Sequence, residues 1–232
     1  MITSVQNAKI KELEKLNNAK TREQTGLFLV EGPHLVTEAR NLGLLVEAYS
    51  LEDKDGYTQV SDNVMRKICN TKTPVSEVGV VKIPSNKGLS DKVLILDTIQ
   101  DPGNMGTIMR SARAFDFKTI ILSDGCVDIY NDKVIRSSQG AIFKLNFIKG
   151  NLLDIIPTLE GYDVYGTDVV NGISIKEVNK NKKIAVVMGN EGNGVSKEVR
   201  KILKKNIYIP LNETESLNVG VAASIIMYEL NK

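Results

Sequence analysis

The chain has 232 residues, of which 42% are hydrophobic and 25% are charged, the balance of an ordinary globular protein. This length accommodates one large domain or two small ones. The 30 Lys and Arg residues exceed the 28 Asp and Glu residues by only +2, which excludes a bulk polycation. The total does not exclude nucleic acid as a partner, because binding depends on where cationic residues cluster.

Residue types that build metal sites and nucleophilic triads are scarce. Cys69 and Cys126 do not have the spacing of metal ligands. They predict two reduced, buried thiols rather than a disulfide. The single histidine, His34, favours a structural or surface role over a zinc site or a Ser-His-Asp triad. No metal is therefore expected. The absence of a membrane-length apolar run and of a signal-peptide core predicts a soluble, cytoplasmic protein.

The first 85 residues alternate between helical and strand patterns. The predicted elements are, in chain order, a helix at 7–18, a strand at 27–32, a helix at 34–43, a strand at 45–50, a helix at 61–69 and a strand at 77–83. Pro33 suits the first turn of the second helix, and Gly43 suits its end. Together they predict a small α/β sandwich as the first domain, residues 1–85.

Residues 86–91 lie within a Pro-, Gly- and Ser-rich stretch and predict a linker to a second domain, residues 92–232. Strands are expected at 92–97, 118–123, 145–149, 163–169, 183–189 and 206–210, and helices at 103–115, 131–138, 151–160, 197–205 and 217–230. Strands that alternate with helices indicate a doubly wound, mostly parallel α/β sheet.

Three patches rich in Gly, Asn and other uncharged hydrogen-bonding residues follow predicted strands, at residues 96–114, 186–196 and 207–224. In open α/β sheets, ligands bind beyond the carboxyl ends of the strands. Each patch alone is compatible with an ordinary tight turn, but all three also contain an Arg or a Glu. The joint pattern therefore favours a functional site.

Two common nucleotide sites fit poorly. The segment at 189–196 has the glycine spacing of a phosphate loop, but Val195 stands where that loop needs Lys to contact the phosphates. The spacing of its glycines also differs from the G-x-G-x-x-G fingerprint of dinucleotide-binding sites. That fingerprint follows the first strand of its domain, whereas this segment follows a late one. A nucleotide-dependent enzyme is thus disfavoured.

In order and content, the three patches resemble the signature motifs of the SpoU/TrmH family of RNA 2′-O-ribose methyltransferases, a branch of the SPOUT superfamily. The matching residues are Asp101, Pro102, Asn104, Gly106 and Arg110 in the first motif, Gly189, Asn190, Glu191, Gly192 and Gly194 in the second, and Ile209, Pro210, Ser216, Leu217, Asn218, Val219 and Ala222 in the third.

The resemblance implies a C-terminal α/β knot, a deep trefoil knot around a mostly parallel sheet. The N-terminal segment is similar to the L30e-like RNA substrate-binding domain of many family members. Residues 28–39 are the segment that resembles this domain most clearly. The resemblance further implies methyl transfer from S-adenosylmethionine to a ribose 2′-hydroxyl of ribosomal or transfer RNA, and the L30e-like domain favours ribosomal RNA. A homodimer is expected, because family members have the cofactor site beside the dimer interface.

Eight site residues follow from the resemblance. Gly189, Ile209 and Leu217 match the positions that bind the cofactor, largely through main chain. The family's essential residues match Asn104, Arg110, Glu191, Ser216 and Asn218. For Asn104, Ser216 and Asn218, helix capping is an alternative role. Glu191 would hold Arg110 or close its loop.

Arg110 matches the residue proposed in the family to activate the 2′-hydroxyl. An arginine side chain is protonated at all ordinary pH values, and deprotonating one near pH 7 would cost roughly 7–9 kcal/mol. We therefore expect Arg110 to stay cationic, to grip a phosphate beside the target ribose and to stabilise the developing oxyanion.

The third motif departs from the commoner family pattern. Leu211 stands at a Met position and Glu213 at a Gly position, and the interval from Pro210 to Ser216 is one residue shorter. This departure leaves open a second possibility, a catalytically silent RNA-binding or ribosome-assembly factor with the same fold.

Two basic segments stand out despite the balanced total charge. Residues 176–205 contain nine Lys or Arg (Lys176, Lys180, Lys182, Lys183, Lys197, Arg200, Lys201, Lys204, Lys205) against Glu177, Glu191 and Glu198. Residues 1–22 contain five (Lys9, Lys11, Lys15, Lys20, Arg22) against Glu12 and Glu14. Clusters of this kind suit RNA phosphates, and the alternative is a solvated helix face.

Overall fold

The computed structural model of the chain describes residues 1–71, 75–169, 171–180, 183–213 and 216–232. The chain forms two compact units. The first contains Met1–Pro84 and Asp128–Phe143, and the second contains Ser85–Val127 and Lys144–Lys232. The sequence pattern places residues 128–143 in the second segment, but they pack within the first unit.

Helices and strands alternate along most of the chain. Up to residue 84 they are α1 (Ala8–Lys15), α2 (Ala19–Thr25), β1 (Leu27–Glu31), α3 (Pro33–Asn41), β2 (Leu45–Ser50), β3 (Thr58–Gln59), α4 (Asp62–Ile68) and β4 (Glu77–Lys82). They continue with β5 (Lys92–Leu96), α5 (Pro102–Ala114), β6 (Thr119–Leu122), α6 (Asp132–Ser138), β7 (Asn146–Lys149), α7 (Leu152–Ile155), β8 (Tyr162–Thr167), β9 (Ile173–Ser174), β10 (Lys183–Met188), α8 (Lys197–Ile202), β11 (Asn206–Tyr208) and α9 (Val219–Asn231).

The first unit is built on a four-stranded sheet in the order β1-β4-β2-β3. β4 runs antiparallel to both β1 and β2, and β2 runs parallel to β3. One core of this unit buries Ile10, Leu13, Tyr49, Met65 and Ile68 between α1, α4 and the sheet.

Residues 128–143 join the first unit through aromatic and ionic contacts. The ring of Phe28 lies 4.8 Å from the ring of Tyr130 and 6.2 Å from that of Phe143, centroid to centroid. The buried guanidinium of Arg22 pairs with Asp128. The sequence could not predict this packing, because an aromatic or a charged residue does not reveal its distant partner.

The second unit contains a seven-stranded sheet in the order β7-β6-β5-β10-β8-β11-β9. All six neighbouring pairs are parallel, as the sequence pattern predicts. In the central strands, Leu94, Ile95, Val186 and Val187 are fully buried. Such strands are apolar on both faces because helices cover a parallel sheet from both sides.

Several element boundaries differ from prediction. The helix predicted at 7–18 ends at Lys15, and α2 follows because the Asn18 side chain accepts the Lys20 amide and starts a new helix. The helix predicted at 151–160 ends at Ile155 and continues as a 3-10 turn, Ile156–Thr158, around the proline. The two-residue strands β3 and β9 are too short to leave a pattern in the sequence.

Candidate functional site

The candidate site lies where four neighbouring parallel strands end. β5, β10, β8 and β11 are adjacent in the sheet, and their last residues are Leu96, Met188, Thr167 and Tyr208. All three motifs predicted from the sequence begin at the carboxyl end of one of these strands. The sheet order therefore gathers them at a single edge, the place where α/β sheets bind ligands.

A cavity of about 330 Å³ opens at this edge. Its volume is within the ~300–1,000 Å³ typical of small-molecule sites. The apolar part of its wall is formed by Val169, Met188, Ile207, Ile209, Leu211, Leu217, Val219, Ala222 and Ile226. Polar groups come mainly from the second motif, at residues 189–194. An apolar wall with a few fixed polar groups is the usual design of a cofactor pocket.

The second motif forms a closed turn in which one glycine is sterically required. Asn190 and Gly194 exchange two backbone hydrogen bonds, each 2.9 Å long. A Cβ atom added to Gly189 would lie 2.0 Å from both the Gly194 carbonyl carbon and the Val195 nitrogen. Only glycine therefore allows this turn to close beside the cavity. Val195, which stands where a phosphate loop has Lys, is 2% exposed and packs in the core.

Polar groups that follow β5 hold the turn in place. The Asn190 amide donates to the Thr98 carbonyl oxygen at 2.8 Å, and its Oδ1 accepts the Gly192 N–H at 2.9 Å. The buried carboxylate of Asp97 accepts the Ser196 N–H at 2.8 Å. The sequence prediction did not include Asp97, although an acid that ends an apolar strand was an available signal.

One chain of hydrogen bonds joins all three motifs. Asn218 donates from Nδ2 to Asn104 Oδ1 at 2.9 Å, and Asn104 Nδ2 donates to Glu191 Oε1 at 3.0 Å. Asn218 also caps α9, because its Oδ1 accepts the amides of Gly220 and Val221. The capping and linking roles of Asn218 therefore coexist.

The first motif begins helix α5. Asp101, rather than Asn104, caps this helix, since its side chain accepts the Asn104 N–H at 2.7 Å. Arg110 lies two turns further along α5 and is exposed. Glu191 contacts Asn104 and Asn190 rather than Arg110. Within the described parts of the chain, the Arg110 guanidinium has no hydrogen bond or ion pair.

The predicted site residues divide into three groups by position. Gly189, Ile209, Leu217, Glu191 and Ser216 line the cavity. Asn104 and Asn218 do not line the cavity. Asn104 is hydrogen-bonded to Glu191, and Asn218 is hydrogen-bonded to Asn104. Arg110 stands apart from both groups.

Two charged residues of the cavity were not predicted as site residues. Asp168 follows β8, and Arg200 on α8 is its ion-pair partner at 3.7 Å. The sequence prediction counted Arg200 in a basic segment and left Asp168 out. The position of Asp168 directly after a strand was again the available signal.

Only some of the cationic side chains in the two basic segments are available to contact RNA. Arg22 is buried and donates to the Leu16 carbonyl oxygen at 2.7 Å. The structure also records ion pairs for Lys9, Lys180, Lys183, Arg200 and Lys205. Lys182 lies outside the described residues. Lys197, Lys201 and Lys204 are exposed and have no ion pair within the described ranges.

The two cysteines and the single histidine do not line the cavity. Burial raises the pKa of the Cys69 thiol to about 12 and also raises that of Cys126. His34 is exposed and lies 3.8 Å from Glu38. Across the described ranges, no group of three or more His, Cys, Asp or Glu side chains is placed to hold a metal ion. No helix there has the length and apolarity of a membrane span.

Two family models match the chain. Residues 91–228 match the SpoU rRNA Methylase family, and residues 7–79 match the MRM3-like substrate binding domain. The 23S rRNA (guanosine(2553)-2'-O)-methyltransferase RlmP of Bacillus subtilis (strain 168) is 36% identical over 243 residues, which cover 99% of this chain and 98% of that protein.

Solved structures agree with this match. An AdoMet-bound rRNA methyltransferase from Sinorhizobium meliloti has a TM-score of 0.85 and 25% identity, with 99% of this chain and 96% of that chain covered. The SpoU methyltransferase AviRb from Streptomyces viridochromogenes shares the fold, with a TM-score of 0.83, 23% identity and 97% of each chain covered. The predicted fold class, α/β with a large parallel sheet and a smaller N-terminal domain, is confirmed.

Proposed function

Because the chain belongs to the SpoU rRNA Methylase family, we propose that it methylates a ribose 2′-hydroxyl of ribosomal RNA with S-adenosylmethionine as the methyl donor. The observation that carries this proposal is the meeting of the three family motifs, of which the second and third line the cavity and the first is joined to the second through the Asn104–Glu191 hydrogen bond. Five of the eight residues expected from the motifs line that cavity.

The cavity suits S-adenosylmethionine in size and chemistry. The apolar side chains of Ile209 and Leu217 offer a surface for the adenine ring, and the Gly189 turn brings main-chain groups to the wall. When bound, the cofactor supplies a methyl group activated by its positively charged sulfur. Ser216 is the neighbouring hydroxyl-bearing residue of the wall.

Arg110 would act on the RNA rather than on the cofactor. Its guanidinium is exposed and unpaired within the described ranges, and so is available to a phosphate of the substrate. A cationic fork beside the reacting ribose would orient the 2′-hydroxyl and stabilise its developing negative charge. The hydroxyl proton would then leave to phosphate or water.

Asn104, Glu191 and Asn218 would act by positioning. Their hydrogen bonds join the beginning of α5, the glycine turn and the beginning of α9. A reacting hydroxyl and a donor must be held in line for displacement, and small misplacements are costly. The hydrogen-bond chain keeps these three loops in one arrangement.

The N-terminal domain would bind the RNA. Residues 7–79 match a substrate-binding domain, and we extend this role to residues 1–85, joined by the linker at 86–91 to the methyltransferase domain at 92–232. Lys11, Lys15 and Lys20 in the first domain and Lys197, Lys201 and Lys204 in the second are cations at the surface suited to phosphates. The full-length match to RlmP points to large-subunit rRNA as the substrate.

A homodimer in the cytoplasm completes the proposal. Val221, Ile225 and Tyr228 are exposed at positions i, i+4 and i+7 of α9 and form an apolar stripe. Such a stripe on a helix is suited to a second copy of the chain. Sedimentation at micromolar concentration should show a dimer that Ile225→Glu weakens.

The activity is tested with purified protein, radiolabelled S-adenosylmethionine and rRNA from cells that lack the gene. We expect label to enter rRNA at a 2′-oxygen and to be absent when the RNA comes from wild-type cells. Binding of rRNA without transfer, with or without cofactor binding, would instead favour the silent assembly factor that the shortened third motif leaves open.

A further inference from the structure

An opposite-charge pair lies in the wall of the cavity, outside the three family motifs. Asp168 and Arg200, together with Glu191, are the charged side chains of the wall among the residues that the structure describes. Arg200 NH1 lies 3.7 Å from Asp168 Oδ2, within reach of attraction but beyond hydrogen-bond distance.

The pair is held by the turn that closes the cavity. Arg200 Nε donates to the Val195 carbonyl oxygen at 2.8 Å. A Cβ atom on Gly194 would lie 2.9 Å from Arg200 NH2, so the glycine makes room for the guanidinium. Asp168 Oδ1 accepts the Asn171 N–H at 3.3 Å.

The two side chains of the pair differ in their exposure to solvent. The Asp168 side chain is 14% exposed and that of Arg200 is 48% exposed. The apolar part of the wall is suited to a ring, whereas the pair offers one carboxylate and one guanidinium. S-adenosylmethionine has the matching parts: an adenosine and a tail that ends in an ammonium and a carboxylate.

Resting on the proposed function, we propose that Arg200 and Asp168 bind the amino-acid tail of the cofactor, Arg200 through the carboxylate and Asp168 through the ammonium. Charge-assisted hydrogen bonds of this kind are the stronger ones in proteins. A carboxylate alone would suffice to hold the ribose diol. The presence of an adjacent guanidinium favours the zwitterionic tail instead.

The test uses two inert thioethers that differ in the tail. S-adenosylhomocysteine has the amino-acid tail, and 5′-methylthioadenosine has a methyl group in its place. Calorimetry with the full-length chain measures both affinities for the wild type, Arg200→Ala and Asp168→Asn. Glu198→Gln, an exposed acid on α8, is the control for the Asp change, and Arg66→Ala, exposed and paired with Asp62, is the control for the Arg change.

We expect the wild type and both controls to bind S-adenosylhomocysteine at least about tenfold more tightly than methylthioadenosine. Arg200→Ala and Asp168→Asn should each lower the affinity for S-adenosylhomocysteine by about tenfold and change that for methylthioadenosine by less than about twofold. Retained methylthioadenosine binding also shows that the variants are folded.

An equal loss for both ligands would overturn the proposal, because the pair would then serve the adenosine part or the shape of the cavity. Unchanged binding of both ligands would overturn it as well. If the wild type binds neither ligand, the proposed function itself fails, and that result is distinct from either of the others.

Discussion

The side-chain amide of Asn218 donates a hydrogen bond to the side-chain oxygen of Asn104, 2.9 Å away, although 114 positions separate the two residues. The bond joins the beginning of α9 to the first turn of α5. Through Asn104 it continues to Glu191 in the glycine turn. The loops of three separate motifs are thereby held in one arrangement.

The two roles of Asn218 can be separated by substitution. Asn218→Ser keeps a capping oxygen but loses the amide that reaches Asn104, so we expect methyl transfer to fall at least about tenfold with stability changed by less than about 1 kcal/mol. Asn218→Ala loses both roles and should also lower the free energy of unfolding by about 1 kcal/mol. Transfer assays and urea unfolding measure these effects. Full activity of the Ser variant would show that the bond to Asn104 is dispensable.

Gly189 should be the least replaceable residue of the glycine turn. A Cβ atom there would lie 2.0 Å from backbone atoms, so Gly189→Ala must open the turn, at a cost of about 3 kcal/mol or more. Cofactor binding should be lost with it. Gly192→Ala is the matched control, since its Cβ would meet only Asn190 Oδ1 at 3.6 Å. Similar thermal unfolding and similar cofactor binding for the two variants would refute the steric argument.

Arg110 should matter for transfer and not for cofactor binding, because it does not line the cavity. We expect Arg110→Ala to lower kcat by about 100-fold or more and Arg110→Lys by about tenfold, since Lys keeps the charge but not the fork. Both variants should bind S-adenosylhomocysteine as the wild type does.

A pH profile of Arg110→Lys separates the cationic role from that of a base. A lysine base has a lower pKa than arginine and would become more active as the pH rises from about 7 to about 9.5. A cationic clamp gives a rate below that of the wild type throughout this range. A Lys variant that overtakes the wild type at high pH would contradict the clamp.

Lys201 in α8 and Lys204 just after it, which have no ion pair within the described ranges, should contribute to RNA binding through phosphates. Lys201→Glu combined with Lys204→Glu should weaken RNA binding at least about tenfold and reduce the slope of log affinity against log salt by about 1–2. Filter binding at several salt concentrations measures both quantities. Lys118→Glu, at a lysine already paired with Asp116, serves as the control. An unchanged salt slope in the double variant would show that these two lysines do not contact RNA phosphates.

Glu213 adopts a backbone conformation that suits glycine better. Its φ is 57°, and it stands at the position where the commoner family motif has Gly. Glu213→Gly should be at least as stable as the wild type, whereas Glu213→Val should lose about 1–2 kcal/mol, because a β-branched residue is strained there. Chemical unfolding compares the three proteins. A Gly variant less stable than the Val variant would contradict this conformation.

Much of the second unit was predictable from the sequence. Its strands are apolar on both faces, and the helices between them make parallel pairing the expected arrangement. The motif residues were predictable as a group, because parallel strands bring their carboxyl ends together. The two charged cavity residues that were not predicted, Asp168 and Arg200, come together only through the fold, because one follows β8 and the other lies on α8.

The remaining differences have physical causes of the same kind. Helix capping was an alternative role for Asn104 on sequence grounds, but Asp101 caps α5, because capping depends on where the first turn begins. Arg22 was counted as a surface cation, but its partner Asp128 lies 106 positions away. Charge counts along a sequence cannot distinguish an exposed cation from one already neutralised by a distant acid.

The central claim, 2′-O-methylation of ribosomal RNA, is tested most directly by mapping ribose methylation in total RNA from cells with and without this protein. We predict that one site in large-subunit rRNA loses its methyl group, that the wild-type gene restores it, and that Arg110→Ala does not. An unchanged methylation map in cells that lack the protein would contradict the account.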